Sequence, residues 1–123
     1  MDIQVSHEIL KDSRGKIRYR KFKKGGYDHY YVRLFITGHD VEEVLLAEYE
    51  LHPTFSNPLR TTCNPNDGFS VYIWTWGEFE VGVNVHIKNG KKLSFVYDLS
   101  YSNSLPLDDD QYADETPAHC RED

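Results

Sequence analysis

Between Phe79 and Leu99 the chain places an apolar residue at every second position, twice over, with Asn89-Gly90 in between. Phe79, Val81, Val83, Val85 and Ile87 alternate with Glu80, Gly82, Asn84, His86 and Lys88. Successive side chains of a strand point to opposite faces, so the odd residues face a core and the even ones face solvent. A helix cannot use this period, because its apolar stripe repeats every three to four residues. Asn and Gly both tolerate positive φ, so Asn89-Gly90 predicts a tight hairpin turn. The return strand carries Leu93, Phe95, Tyr97 and Leu99 inward, against Ser94, Val96 and Asp98.

The same reading extends upstream. Ile3, Val5 and Ile9 predict a first strand, and Ile17, Tyr19 and Phe22 a second or an irregular edge. Gly25-Gly26 breaks the pattern, Tyr30 to Ile36 forms a third strand, and Gly38 closes it. Val41 to Leu51 has helix-forming residues, but Leu45, Ala47, Tyr49 and Leu51 alternate, so it reads as a strand. Residues 52–68, with several Pro and Asn, read as largely loop, and Phe69 to Thr75 as the next strand. The expectation is an all-β fold, an immunoglobulin-like antiparallel β-sandwich of about seven to eight strands. The Cys pair of an antibody domain is missing.

Charge divides the chain. Residues 1–107 hold 13 Lys+Arg and 13 Asp+Glu, whereas 108–123 hold 7 acids and one Arg, so the end carries the whole net charge of −6. We expect a folded domain over 1–105 and an acidic, disordered tail over 106–123. That tail is either a solvated end, or linker, or an arm that docks on a basic surface. Cys63 and Cys120 show no metal-ligand spacing, so free thiols and no metal are expected. With no basic leader and no long apolar run, the chain reads as soluble, cytoplasmic and without membrane contact.

Nothing points to catalysis. Cys63 has no base placed beside it, and Asn64-Pro65-Asn66-Asp67-Gly68 looks like a turn. Glu42-Glu43 and the pair Glu78 and Glu80 fit solvent-facing positions, and no Gly-rich phosphate loop precedes a helix. The basic run Lys16, Arg18, Arg20, Lys21, Lys23, Lys24 has two readings: an anion or nucleic-acid patch, or charge that protects an edge strand from pairing. The formally neutral body argues against nucleic acid, whose binding relies on neutralising phosphates.

Two motifs remain. Leu51-His52-Pro53-Thr54-Phe55, followed by Ser56-Asn57-Pro58, ends one strand; Thr75-Trp76-Gly77-Glu78-Phe79 breaks another. Each sets a polar group beside a large ring, which suits a small, flat, neutral ligand. In order and spacing they resemble the YEATS domain, in particular its prokaryotic branch. The resemblance covers roughly 27–99 and is tightest over 49–79. It implies an immunoglobulin-like sandwich that reads acylated lysine without enzymatic activity or cofactor. It implies further that Phe55 and Trp76 form two aromatic walls around the acyl amide, and that Thr54, where the family has Ser, accepts the amide N–H. His52 lines the slot and orients Thr54, the backbone N–H of Trp76 or Gly77 donates to the acyl carbonyl, and Tyr27 adds a wall. Thr75 stands where Gly is common, and its Cβ narrows the slot. No acid lies within 51–55, and Glu78 is expected to point away, so a cage for a methylated ammonium is not expected there.

The sequence reading is therefore a non-enzymatic binding module that holds an acylated lysine, or a similar flat amide, of a partner protein. Two alternatives stay open: a scaffold module of a bacterial signalling or defence system with a vestigial slot, or a nucleic-acid-binding sandwich using Lys16 to Lys24.

Overall fold

A computed structural model describes residues 1–21 and 28–116. Among these there are nine strands and no α-helix: β1 (Gln4–Ile9), β2 (Ile17–Arg20), β3 (His29–Thr37), β4 (Val44–Glu50), β5 (Leu59–Thr62), β6 (Val71–Thr75), β7 (Phe79–Ile87), β8 (Lys92–Leu99) and β9 (Tyr112–Asp114). They form two sheets. One has the order β5-β4-β7-β8, and the other runs β1-β3-β2-β9 with β6 also pairing β3. No helix of the described residues is long and apolar enough to cross a membrane.

The chain divides into two compact units. The first is Met1–His7, Leu34–Val71 and Phe79–Leu99; the second comprises the described parts of Glu8–Arg33, Tyr72–Glu78 and Ser100–Asp123. In the first, β7 behaves as its period predicts. Val81, Val83, Val85 and Ile87 are buried, and β7 pairs antiparallel with β8 from Phe79↔Leu99 to His86↔Lys92. The hairpin itself is one residue longer than a two-residue turn. Ile87 N–H donates to Lys91 O, so Lys88, Asn89 and Gly90 form the connection, and only Gly90 takes a positive φ, of 92°. This is the geometry of a three-residue hairpin, where the last position takes the left-handed conformation.

Three expectations change. Val41–Glu43 is a 3-10 turn, and a bulge between Val44 and Leu46 resets the alternation of β4. Leu45 is therefore exposed while Val44, Ala47 and Tyr49 are buried, because an extra residue flips the faces that follow. Within the stretch expected as loop, Leu59–Thr62 forms edge strand β5 and pairs β4 from Glu50↔Leu59 to Ala47↔Thr62. The third change is in the second unit. Residues 106–116, expected to be a disordered tail, contain β9, which pairs parallel with β2 through Ile17↔Tyr112, Arg18↔Ala113 and Tyr19↔Asp114.

The β2–β9 pairing is fixed by polar contacts. Arg18 grips Glu115 with two hydrogen bonds, of 2.6 and 2.8 Å. Glu115 N–H donates to Tyr19 O at 2.8 Å, and Lys21 N–H donates to the hydroxyl of buried Thr116 at 2.8 Å. β2 is consequently an interior strand between β3 and β9, and its charges do not serve as edge protection. The Arg18 hydrogen bonds hold the Glu115 carboxyl below its ordinary value of 4.5. That stabilisation is present above pH 4.5 and fades as pH falls through the depressed folded value. A Glu115→Gln variant is expected to lose about 1 kcal/mol, read from the urea midpoint at neutral pH, with faster amide exchange confined to β9. An unchanged midpoint and unchanged exchange would show that the pair does not hold the strand.

Candidate functional site

The loop after β4 belongs to the first unit. Leu51 is buried, and its N–H donates to Pro58 O at 2.7 Å, which closes the base of the loop. Phe55 N–H donates to His52 O at 3.0 Å, making a β-turn with Pro53 at its second position. Proline pre-sets the φ that position needs, so Pro53 suits the loop. Arg60 ties down the far side, donating to Asn57 O at 2.6 Å and Ser56 O at 2.9 Å, while Asn57 takes a φ of 50°.

Within the turn, His52 and Thr54 form a pair whose proton positions follow from chemistry. Thr54 N–H lies 3.3 Å from His52 Nδ1, and Thr54 Oγ1 lies 2.9 Å from the same nitrogen. A backbone N–H can only donate, so Nδ1 is the acceptor and the neutral ring carries its proton on Nε2. The Thr54 hydroxyl therefore donates to Nδ1, which leaves the lone pairs of Oγ1 to accept from a ligand N–H. Both residues are exposed. Phe55 is half-buried and meets the Phe79 ring at 5.4 Å, and His52 meets Phe79 edge-on at 6.2 Å. Phe79 is thus the ring that supports both, a role its place in an alternating strand conceals.

The turn after β6 belongs to the second unit. Thr75 is only 2 % exposed; its hydroxyl donates to Gly77 O at 2.9 Å and accepts from Gly77 N–H at 3.4 Å. Thr75 therefore braces the turn through its hydroxyl. The Tyr101 hydroxyl also donates to Gly77 O, at 3.1 Å. Glu78 accepts Tyr101 N–H at 2.5 Å and Ser102 N–H at 3.1 Å. Those bonds, the one from Ser102 N–H first, hold its carboxyl below the ordinary range. Glu78 is committed to its own unit. Trp76 is 53 % exposed on this braced turn, and a Cβ added at Gly77 would meet nothing within 4 Å.

The structure thus groups His52, Thr54 and Phe55 with Phe79, and groups Thr75, Trp76 and Gly77 with Glu78 and Tyr101. Tyr27, Cys120 and the Lys23, Lys24 end of the basic run lie outside the described residues. Cys63 is exposed, and among the described residues no cluster of three or more His, Cys, Asp or Glu side chains is arranged to hold a metal ion.

The basic run is engaged by aromatic rings. The Arg18 guanidinium lies 4.7 Å from the Tyr31 ring centre, the Arg20 guanidinium lies 4.2 Å from that of Trp74, and the Tyr31 and Trp74 rings stack at 4.6 Å. With Arg18 also held by Glu115, these cations are placed to cement the sheet.

Residues 30–100 match the prokaryotic YEATS domain family. The chain is 32% identical over 105 residues to the Protein AF-9 homolog of Schizosaccharomyces pombe, an alignment that covers 78% of this chain and 48% of the relative. The chain thus spans about half the length of that curated relative. Among solved structures it resembles the yeast Yaf9 YEATS domain recognizing an H3K122suc peptide, with a TM-score of 0.58, 19% identity, and coverage of 85% of this chain and 73% of that one. The Yaf9 YEATS domain bound to H3K27ac gives a TM-score of 0.53 at 20% identity, covering 80% of this chain and 69% of that one. These likenesses make the fold class an immunoglobulin-like β-sandwich. The chain belongs to the prokaryotic YEATS domain family.

Proposed function

We propose that this protein is a non-enzymatic module that binds an acylated lysine, or a similar flat amide, on a partner protein. The binding residues are His52, Thr54 and Phe55 from one loop and Trp76 and Gly77 from the other, with Thr75 bracing the second. The observation that carries the reading is the His52–Thr54 pair, which spends the Thr54 proton on Nδ1 and leaves an exposed oxygen as an acceptor. An acyl-lysine amide offers one N–H to such an acceptor and a flat, uncharged face to aromatic rings. Glu78 accepts three hydrogen bonds from Tyr101 and Ser102, so it does not supply the carboxylate of an ammonium cage on this turn. The Yaf9 YEATS domain, which shares the fold, has been solved with H3K122suc and H3K27ac.

The test is an NMR titration of the full chain with acetyl-lysine and crotonyl-lysine peptides and an unmodified-lysine control. Saturable shifts at 52–55 and 75–79, given by acylated peptides alone, are expected. Trp76→Ala and Phe55→Ala are each expected to weaken binding at least about tenfold, since each removes a large ring that a ligand buries. Trp76 is largely exposed, so its loss leaves the fold intact. Silence at millimolar peptide, or equal shifts at 52–55 and 75–79 with unmodified lysine, would sink the reading.

A further inference from the structure

The second unit holds a cavity of about 520 Å³ that the acyl-lysine reading leaves unused. Its lining includes Tyr19, Tyr30 and Tyr112, with Asp28, Asp109 and Lys21 as its charged groups. The Tyr19 and Tyr112 ring centres are 6.1 Å apart with planes at 82°, and those of Tyr30 and Tyr112 are 6.4 Å apart at 47°. The Tyr112 ring is thus inclined to each of the other two rings of the lining. Tyr112 is locked in place, because its hydroxyl donates to Pro106 O at 2.6 Å.

The electrostatics select the occupant. Aromatic faces carry partial negative charge. Lys21 Nζ lies 3.5 Å from Asp28 Oδ1, so these two offset each other, and Asp109 gives the lining a net negative charge. The phenols respond to burial first and to the carboxylates second. The Tyr30 hydroxyl is pushed up to about 12, by burial first and then by Asp28, and Tyr112 is raised by burial first and then by Asp109 and Asp28. Burial disfavours any charge, so the sign of the ligand is set by the carboxylates of the lining, which repel an anion and attract a cation. The described residues hold no metal-ligating cluster, and ring faces suit a soft organic cation better than a hydrated metal ion.

We propose that this cavity binds an alkylammonium group, presented as the lysine or methylated-lysine side chain of a partner protein. Such a side chain brings one positive charge, which matches the net charge of the lining, on an apolar stem that matches its rings. None of the residues that line it belongs to the acyl-lysine set.

The experiment titrates the labelled full chain with a trimethyl-lysine peptide, the same peptide with unmodified lysine, and a neutral isostere in which a tert-butyl carbon replaces the ammonium nitrogen. Tetramethylammonium chloride, against sodium chloride, serves as the free small cation. Saturable shifts at Tyr19, Tyr30, Asp109 and Tyr112 are expected with the cationic peptides and not with the isostere. Tyr112→Leu is expected to weaken binding about fivefold and Asp109→Asn about threefold. Tyr112 lies in β9, whereas Asp109 is exposed, so Asp109→Asn reads the charge with the strand in place. Trp76→Ala should leave this binding unchanged, which separates the outcome from that of the acyl-lysine titration. Equal binding of the isostere, shifts elsewhere, no saturation, or no effect of Asp109→Asn would overturn the proposal. Tetramethylammonium binding as tightly as the peptide would overturn the assignment to a partner's side chain.

Discussion

A Gly38→Ala variant is expected to lose about 3 kcal/mol or more of stability, read as a fall in the urea midpoint. Gly38 sits just past β3 with a φ of +124°, a conformation that side chains rarely adopt. An added Cβ would lie 2.2 Å from Asp2 O and 2.9 Å from Asp2 C. Backbone cannot yield there, because Asp2 is held on several sides. Asp40 N–H donates to Asp2 O at 3.1 Å, His39 N–H donates to its carboxylate at 2.9 Å, and Asp2 N–H donates to the Asp40 carboxylate at 2.5 Å. The methyl must therefore expel the N-terminal segment or distort the turn. Gly15 is the control: its φ is +77°, but a Cβ there meets nothing within 4 Å, so Gly15→Ala should cost only about 1 kcal/mol. Equal costs at the two positions would show that conformation, and not the clash, governs Gly38.

Removing the Tyr49 side chain should have an effect of similar size. Tyr49 is fully buried in the first unit, and its hydroxyl donates to Phe69 O at 2.6 Å. Phe69 is itself buried and has a φ of 55°, unusual for a bulky residue. Its N–H donates to Asn64 O at 2.9 Å. The Tyr49 hydroxyl therefore satisfies a carbonyl whose residue is held in a costly conformation. Tyr49→Phe, which keeps the ring, is expected to cost about 1–3 kcal/mol by leaving that carbonyl unpaired in the core. Tyr49→Ala, which leaves a cavity as well, is expected to cost about 3–5 kcal/mol. Denaturant midpoints of the two variants separate hydrogen bond from packing, and a neutral Tyr49→Phe would show that the bond contributes nothing.

Legibility in the sequence followed the length and periodicity of each element. β7 and β8 could be read almost residue by residue, because alternation sustained over eight or nine positions has no other use. β5 and β9 leave no such pattern, because four and three residues are too few to show a period, and because their surroundings are rich in Pro and Asn or in acids. The exposure of Leu45 is hidden for a different reason: a bulge changes which face a residue occupies without leaving a mark in composition. Of the site, the His52–Thr54 pairing could be anticipated, since two residues of one turn lie within reach of each other. The bracing of the second turn by the Thr75 hydroxyl and the support that Phe79 gives Phe55 could not.

What the sequence alone determined is the all-β class, the β7–β8 hairpin and the two aromatic loops, since each is written in neighbouring residues and follows from local geometry. What the tertiary structure decided is where distant segments meet. Arg18 and Glu115 are 97 residues apart, and their pairing turns an acidic stretch that looked solvated into a strand and a basic stretch that looked like an edge into an interior one. The tyrosine-walled cavity likewise draws on residues from both ends of the described chain. Such contacts depend on strand register across long loops, and no local pattern encodes which of several compatible partners a polar strand will take.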